Sequence, residues 1–498
     1  MIAFHAITEN QNNISQLTGL DLIVRLCNAL TVEEINYCHW KSNAALNRSA
    51  AGDNDLDLLV SRLHTQRFAE ILYSLGFKEA LSPEDDELPG VRDYYGYDVQ
   101  TGKLVHVHAH FQLILGNDLS KNYRLPLEKV YLESSLQKGL FRIPAPEFEF
   151  VIFVIRMVLK HSTWDSILMR HGKLSPSEQR ELEDFSKPEM MVKAQDLLQY
   201  MPGLNSTLFN ECFQALQPGC SFWRRIWVGE KLQKLLQSSA RYSHPRDLLV
   251  KFTRRISQPV QKHVFGYKPR HQMASGGLFI AIVGGDGAGK TTIVDELCFW
   301  LSGKFEVTKV HMGKPDWSWA TILIRGTLKV GTLLGLYSFE GDVFEEIHQP
   351  HGLPWFIRAV CTARDRYLTY LLARRLSSNG GLVVCDRFSF PGFMEMDGAQ
   401  CEQGIAFLKK AGWLHHLLAK WERAYYEQIT LPDLLIVLKV EPEIAVQRKK
   451  DETEVAVRAR STEVWQLDWR AKSAFIIDAG LERAEVVSQV KALVWAHL

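Results

Sequence analysis

The second half of the chain alternates short apolar runs with longer segments of helical spacing. The runs Leu278–Val283, Leu382–Cys385 and Leu434–Val440 have strand length and are apolar at almost every position. Segments with a helical repeat, such as Thr291–Leu301, lie between them. Uninterrupted apolar strands separated by helices are typical of a parallel sheet that is covered on both faces. From about residue 278 onward, the pattern therefore predicts an α/β fold with a doubly wound parallel sheet.

The same periodicities predict further elements in this half. Strands are expected over Phe305–Met312 and Ala474–Ile477, and helices over Pro354–Leu376, Leu414–Gln428, Val440–Lys450, Glu463–Lys472 and Glu482–His497. Pro and Gly residues separate several of these segments, as is usual at the ends of regular elements.

The first half of the chain has mixed patterns. Residues 1–145 alternate helical and strand periodicities and predict an α+β domain, whereas residues 146–270 predict a helical connector that becomes strongly basic after Arg224. The Pro-, Ser- and Gly-containing stretch Tyr267–Gly277 predicts a linker before a third domain, residues 275–498. The basic connector is interpreted as a solvated helical surface, with a docking surface for an acidic partner as the alternative.

A phosphate-binding loop is predicted directly after the first apolar strand of the second half. The run Gly284–Thr291 reads GGDGAGKT and fits the pattern G-x-x-x-x-G-K-[ST], with a strand before it and a helix after it. In such a loop the backbone N–H groups surround phosphate, Lys290 reaches the β- and γ-phosphates of ATP, and the Thr291 hydroxyl binds Mg²⁺. The predicted nucleotide-binding residues are Gly284, Gly285, Gly287, Ala288, Gly289, Lys290, Thr291 and Thr292.

Two other interpretations of this turn are weaker. A dinucleotide-binding fingerprint that starts at Gly285 would need glycine at the position of Lys290. An ordinary glycine-rich turn is the second alternative, and the match of both the motif and its strand-helix context disfavours it.

Two further groups of residues suit phosphoryl transfer. Asp386 ends an apolar strand, where a carboxylate can hold Mg²⁺ or orient the acceptor. The basic group Arg448-Lys449-Lys450, with Arg458 and Arg460, can supply the arginine that stabilises transition-state charge. A solvated helix surface remains the alternative for these basic residues.

The second half resembles thymidylate kinase and the wider nucleoside-monophosphate kinase group over about residues 278–498. The resemblance rests on GGDGAGKTT (Gly284–Thr292), ARDR (Ala363–Arg366), CDRF (Cys385–Phe388) and PDLLIVLKVEPEIAVQR (Pro432–Arg448). It implies a P-loop kinase that uses ATP and Mg²⁺, acts on a small-molecule phosphate acceptor and is a possible homodimer.

The resemblance also implies roles for individual residues. Asp286 would meet the acceptor sugar, Arg366 the acceptor phosphate, and Asp386 with Arg387 would organise Mg²⁺ and the acceptor phosphate. Because the loop has Gly287 where some members have a catalytic arginine, that arginine is expected from the lid. The lid candidates are Arg448, Arg458 and Arg460.

The acceptor is left open by two departures from the family. HMGKPDW (residues 311–317) replaces the usual acceptor-binding proline-arginine stretch, and SFPGFMEMDGAQ (residues 389–400) replaces the stretch that bears the base. The candidates are therefore dTMP, a related nucleotide, a sugar or another phosphorylated metabolite.

The first half contains GDNDLDLLV (Gly52–Val60), which resembles the D-x-D strand of nucleotidyltransferases. Asp55 and Asp57 would share one strand face and could hold Mg²⁺. The domain departs from the family, because HWKSN (residues 39–43) lacks the expected glycine and histidines stand where a third carboxylate is expected. A degenerate nucleotidyltransferase-like domain is therefore expected. Those histidines, His106, His108 and His110, also share a face. They are interpreted as a polar strand face, with a metal site as the alternative.

Length, charge and composition limit the number of domains, the partners and the cellular location that are expected. The 498 residues suggest two to four domains, and a net charge of +1 makes nucleic acid an unlikely partner. The eight cysteines show no metal spacing, the N-terminus has no signal-peptide pattern, and no apolar window suits a transmembrane segment. A cytoplasmic protein is expected.

Three functional hypotheses follow. The first is a kinase of the thymidylate kinase type joined to a nucleotidyltransferase-like domain. The second is a regulatory P-loop ATPase or switch that reports nucleotide state to the N-terminal domain. The third places the main activity in the N-terminal domain as a nucleotidyl transferase.

Overall fold

A computed structural model of the chain shows two compact units, Met1–Pro269 and Arg270–Leu498, called here the first and second units. The structure describes residues 19–41, 43–83, 87–168, 173–201, 203–263, 270–335, 352–389, 397–408, 410–450, 452–469 and 473–498. The division falls within the predicted linker, although residues 264–269 of that region lie outside the described residues.

The first unit contains a mixed five-stranded sheet in the order β1-β2-β5-β4-β3, where β2 and β5 are parallel and the other neighbours antiparallel. The strands are β1 (Tyr37–His39), β2 (Leu56–Val60), β3 (Lys78–Leu81), β4 (Val91–Asp98) and β5 (Lys103–His110). Two antiparallel pairs follow, β6 (Leu113–Leu115) with β7 (Tyr123–Leu125), and β8 (Leu136–Lys138) with β9 (Phe141–Ile143). The unit is thus α+β, as the mixed patterns predict.

Helices accompany both faces of this sheet. The described helices of the first unit are α1 (Asp21–Val32), α2 (Leu46–Ala50), α3 (Thr65–Ser74), α4 (Glu128–Glu133), α5 (Pro146–His161), α6 (Trp164–Leu168), α7 (Pro176–Phe185), α8 (Pro188–Leu197), α9 (Ser206–Leu216), α10 (Phe222–Leu235) and α11 (His244–His263). Alternate residues of β2 enter different cores: Leu58 packs with α1 and α3, whereas Leu59 packs with α5.

The predicted boundary near residue 145 does not separate two units. Helix α5 starts there with Pro146 at its first position, which suits a residue without an N–H donor. Phe150 of α5, Trp40 and Leu59 belong to one buried cluster, together with apolar side chains from α9 and α10. Because the helices and the sheet share this core, the helical connector is part of the first unit.

The second unit contains a five-stranded sheet in the order β12-β13-β11-β14-β15, and all neighbouring strands are parallel. After the short strand β10 (Gln272–Met273), its strands are β11 (Leu278–Gly284), β12 (Val307–His311), β13 (Leu382–Asp386), β14 (Leu434–Lys439) and β15 (Phe475–Asp478). The α/β class and the parallel sheet predicted from the apolar runs are confirmed.

Helices connect these strands. They are α12 (Lys290–Ser302), α13 (Trp319–Leu333), α14 (Leu353–Ser378), α15 (Cys401–Ala406), α16 (Trp413–Glu427), α17 (Pro442–Arg448), α18 (Glu454–Gln466) and α19 (Arg483–His497). Among the described residues, no helix has both the length and the apolar character needed to cross a bilayer.

One predicted helix is misplaced. Helix α18 ends at Gln466, whereas the sequence pattern predicts a helix over Glu463–Lys472, of which residues 470–472 lie outside the described part. The buried Trp469 indole donates a hydrogen bond to the Val464 carbonyl at 2.7 Å, which folds the chain back onto the helix end. The helix therefore ends earlier than its periodic pattern predicts, and a local side-chain contact takes the place of the next helical turn.

We expect Phe150→Ala to destabilise the sheet and the helices of the first unit together. Phe150 is fully buried and its ring contacts those of Phe209 and Phe213, so the cavity should cost about 3–5 kcal/mol. Hydrogen exchange should accelerate in β1 and β2 as well as in α5 and α9. Val192→Ala, at a side chain that is 65% exposed, is the control. Faster exchange in the helices alone would show that the sheet is stable without them.

Candidate functional site

The predicted phosphate-binding loop joins β11 to α12 in the second unit. Gly287 and Gly289 have φ angles of +72° and +80°, a region that favours glycine. A Cβ atom on Gly287 would lie 2.8 Å from the Ala445 carbonyl oxygen of α17, and one on Gly285 would lie 2.8 Å from the Ser461 hydroxyl of α18. The loop therefore needs glycine both for its turn and for its close packing against two helices.

Lys290 is the first residue of α12, and its side chain is folded back over the loop. Its Nζ donates to the Gly285 carbonyl at 2.8 Å, and the residue is buried. Burial, with a smaller effect from the nearby Arg387 charge, lowers the pKa of Lys290 to about 8. A buried ammonium inside a loop of backbone amides is poised to exchange its carbonyl partner for an anion.

Asp386 and Thr291 form the second part of the site. Parallel pairing places Asp386, the last residue of β13, beside Ile282 of β11 and His311 of β12. Thr291 Oγ1 donates to Asp386 Oδ2 at 2.8 Å. Asp386 is 1% exposed, and its Oδ1 has no hydrogen-bond partner in the part of the chain that the structure describes. A buried carboxylate oxygen without a partner, next to a hydroxyl, suits a divalent cation.

Asp286 lies at the centre of a group of cations. Its Oδ2 is 2.7 Å from Arg460 Nε, and its Oδ1 is 3.5 Å from Arg387 and 4.0 Å from Lys290 Nζ. These cations balance the charge of Asp286 within the protein. Without them, the buried carboxylate would be strongly unfavourable. The sugar contact implied for Asp286 stays a prediction.

Of the three predicted lid arginines, the structure brings Arg460 to the loop. Arg448 donates to the Ala479 carbonyl at 2.8 Å, away from the loop. Arg458 is on the exposed side of α18, where it pairs with Glu454 at 2.9 Å and with Glu443. Thr292, the third residue of α12, is also exposed.

Arg366 has a different environment from the one implied by the resemblance. Its guanidinium is fully buried and donates to the carbonyls of Met312, Gly313 and Asp397, to the Asp397 carboxylate at 2.7 Å and to the Tyr426 hydroxyl at 2.8 Å. These bonds use its donors, so in this structure Arg366 fixes the wall of the site rather than presenting a free guanidinium to an acceptor.

Asp397 and His311 are site residues that the sequence analysis missed. Asp397 is 1% exposed and lies within 4.0 Å of Arg387, and His311 Nε2 lies 4.0 Å from Asp386 Oδ2. Burial lowers the pKa of His311. In the sequence, the one signal for His311 is its position near the end of a predicted strand. Its closeness to Asp386 follows from the pairing of β12 with β13. Asp397 had no such signal, since it follows a strand by eleven residues.

The first unit has its own polar cluster, on the sheet face that also bears Leu59. Asp57 Oδ1 lies 2.7 Å from Lys41 Nζ and 3.1 Å from His108 Nδ1. Burial opposes ionisation of Asp57, but the Lys41 charge and the histidine contacts hold its pKa well below the usual range. Asp55 is 2.9 Å from His106 Nδ1. The two predicted Mg²⁺ ligands are thus engaged by different partners.

Asp93 of β4 is a third carboxylate in this cluster that the sequence analysis did not identify. It pairs with His108 across the sheet, and its Oδ1 lies 2.8 Å from His106 Nε2. Burial opposes protonation of His106, but its contacts with Asp55 and Asp93 prevail and raise its pKa. Burial lowers the pKa of His108, and that of His110 further. The histidine face is polar, as predicted, but it is partnered with carboxylates.

Comparisons of the chain with protein-family models and with curated proteins give no match. In the second unit, a glycine loop and three cations suit an anionic ligand, and Asp386 with Thr291 suits a metal ion.

We expect the contribution of Lys290 to the free energy of unfolding to change with pH in the alkaline range. Its folded pKa of about 8 is below the ordinary 10.5, so between these values the unfolded state binds more protons and stability rises with pH. Lys290→Met removes the cost of burying the charge. The free energy of unfolding of the variant minus that of the wild type should therefore be largest below pH 8 and fall towards pH 10.5, as measured by urea denaturation.

Lys309→Met is the control for this measurement. The hydrogen bond to Asp295 raises the pKa of Lys309, so its contribution is lost only above the ordinary value and its difference curve should stay level up to about pH 10.5. A level difference curve for Lys290→Met would contradict the conclusion that burial lowers the pKa of Lys290.

Proposed function

We propose that the second unit is an ATP- and Mg²⁺-dependent phosphotransferase of the thymidylate or nucleoside-monophosphate kinase type. It transfers the γ-phosphoryl group of ATP to a phosphorylated acceptor, such as dTMP, a related nucleotide or a sugar phosphate. The observation that supports this most is the contact between Thr291, which follows the Lys290 loop, and Asp386. One oxygen of this buried carboxylate has no hydrogen bond from any residue that the structure describes.

The loop binds the triphosphate in this proposal. Backbone N–H groups of residues 285–290 and the positive end of α12 face the phosphates. Lys290 exchanges the Gly285 carbonyl, now 2.8 Å from its Nζ, for phosphate oxygens. Thr291 and Asp386 would hold Mg²⁺, which neutralises phosphate charge when bound.

Arg460 supplies the positive charge that the transfer requires. As the bond from the γ-phosphorus to the ADP oxygen breaks and the bond to the acceptor oxygen forms, negative charge spreads over the γ-phosphoryl oxygens. Asp286 holds Arg460 at the loop. Arg387 is 31% exposed between Asp286 and Asp397, which makes it the better candidate for the acceptor phosphate than the buried Arg366.

A kinase and a regulatory ATPase make different use of this site. A kinase should release ADP only when an acceptor is present, whereas a switch should hydrolyse ATP without one. A screen of nucleoside monophosphates and sugar phosphates for acceptor-dependent ADP formation therefore tests the proposal. ATP hydrolysis that no acceptor stimulates would favour the switch.

We expect Lys290→Ala to abolish phosphoryl transfer while leaving the fold intact, because it removes a charge directed at phosphate. Acceptor-dependent ADP formation measures the loss, and the thermal unfolding temperature checks the fold. Turnover equal to that of the wild type in a folded variant would refute the assigned role of the loop.

We also expect Arg460→Ala to reduce kcat by about 10²- to 10³-fold, the usual effect of removing one transition-state donor. Arg458→Ala, two residues away on the same helix, should change kcat less than about twofold, because its partners are exposed glutamates. Equal effects of the two substitutions would remove Arg460 from the mechanism. Arg460→Lys, which keeps a charge beside Asp286, separates the loss of charge from the loss of fold.

A further inference from the structure

Three donor atoms of the first unit converge on one point of its sheet. They belong to Asp57 of β2 and to His108 and His110 of β5, and all lie within 4.8 Å of one another. His108 Nδ1 is 3.1 Å from Asp57 Oδ1, His110 Nε2 is 3.7 Å from the same oxygen, and the two nitrogens are 3.2 Å apart.

These separations fit the edges of a metal coordination tetrahedron. Bonds of 2.0–2.1 Å from Zn²⁺ to nitrogen and oxygen place tetrahedral ligand atoms about 3.3–3.4 Å apart. The three measured separations scatter around that value without any movement of the backbone. His108 and His110 alternate onto the same strand face, and the parallel pairing of Asp57 with His108 fixes the third ligand opposite them.

The position of His106 explains why these three residues, and not the three histidines, form the group. Its two ring nitrogens face Asp55 and Asp93. His110, in contrast, is 2% exposed and its Nε2 is directed at His108 and Asp57. The two aspartates predicted to share Mg²⁺ therefore belong to separate contacts.

We propose that Asp57, His108 and His110 form a binding site for a divalent transition metal, with Zn²⁺ as the natural probe. Two imidazole nitrogens and one carboxylate suit Zn²⁺, Co²⁺ or Ni²⁺, whereas Mg²⁺ requires oxygen donors. Three protein ligands leave one position for water or for an anionic group, as in metal sites that act on a substrate.

Lys41 links this site to a neighbouring cleft. Its Nζ is 2.7 Å from Asp57 Oδ1, and its side chain also lines a cleft of about 360 Å³. The cleft is also lined by the cations Arg48, Lys121, Arg156 and Lys160 and by the acids Asp118, Glu178 and Glu181, two of which pair with Lys160. An anionic ligand that binds Lys41 in the cleft would therefore lie near Asp57. The ammonium of Lys41 also competes with a metal for the Asp57 carboxylate, which gives the proposal a distinctive test.

The test uses the full-length, untagged protein, freed of metal and titrated with Zn²⁺ in competition with a coloured chelator. One Zn²⁺ should bind per chain, and excess Mg²⁺ should not displace it. Substitution of Co²⁺ should give the intense visible absorption of tetrahedral coordination. His108→Ala and His110→Ala should weaken Zn²⁺ binding by at least about 100-fold, since losing even an indirect support of a metal site costs 10- to 100-fold.

Two variants keep the result interpretable. His416→Ala, at an exposed histidine of the second unit, should bind Zn²⁺ like the wild type. Lys41→Met should bind it more tightly, because the competing cation is gone from Asp57. Thermal unfolding with and without Zn²⁺ shows whether each variant is folded, and Zn²⁺ should raise the unfolding temperature of the wild type but not that of His108→Ala.

Three outcomes would overturn the proposal. They are no stoichiometric Zn²⁺ binding by folded wild-type protein, equal affinity in the wild type and both histidine variants, and weaker rather than tighter binding by folded Lys41→Met. The first result would mean that Lys41 itself is the cation that this cluster holds.

Discussion

Parallel strand register is the constraint on which the site of the second unit depends. Ile282 of β11 pairs with Asp386 of β13, and Gly284 pairs with Leu438 of β14. The loop that leaves β11 consequently starts between a carboxylate on one side and the helices that follow β14 on the other. A slip of one residue in either pairing would turn the alternate side chains to the opposite face of the sheet. The position of Asp386 relative to the loop follows from the first of these pairings.

Charge compensation explains why so many ionised groups can be buried together there. The buried groups are the carboxylates Asp286, Asp386 and Asp397 and the cations Lys290 and Arg366, and the partly exposed Arg387 and Arg460 lie beside them. Buried charges are tolerated when their partners are close and well oriented. Asp386 departs from this balance, because among the described residues its only ion-pair contact within 4.0 Å is His311, and its Oδ1 has no hydrogen bond there. The site is therefore locally negative at one corner and positive around the loop, an arrangement that suits a metal ion together with phosphate.

The sequence predicts those parts of the molecule whose signals are local. The apolar strands, the loop Gly284–Thr291 and the carboxylate at the end of β13 all appear in the structure at or within a residue or two of their expected places. Contacts between distant segments have no such signal. Asp93 and Lys41 join the polar cluster only through strand pairing and chain reversal, and Arg460 is distinguished from Arg458 only by the side of α18 on which each lies. The division between connector and first domain failed for the same reason, because a shared core cannot be seen in a linear pattern.

The backbone conformation of Arg387 affects which substitutions at this position would stabilise the protein. Its φ of +64° is a left-handed conformation, which costs a residue with a side chain about 1–2 kcal/mol relative to a right-handed one. This turn ends β13 directly after Asp386. Glycine would adopt the conformation freely but would delete the guanidinium between Asp286 and Asp397. Thermostability and the phosphate contact proposed for Arg387 are therefore opposed at this position, and a search for more stable variants should select against the arginine.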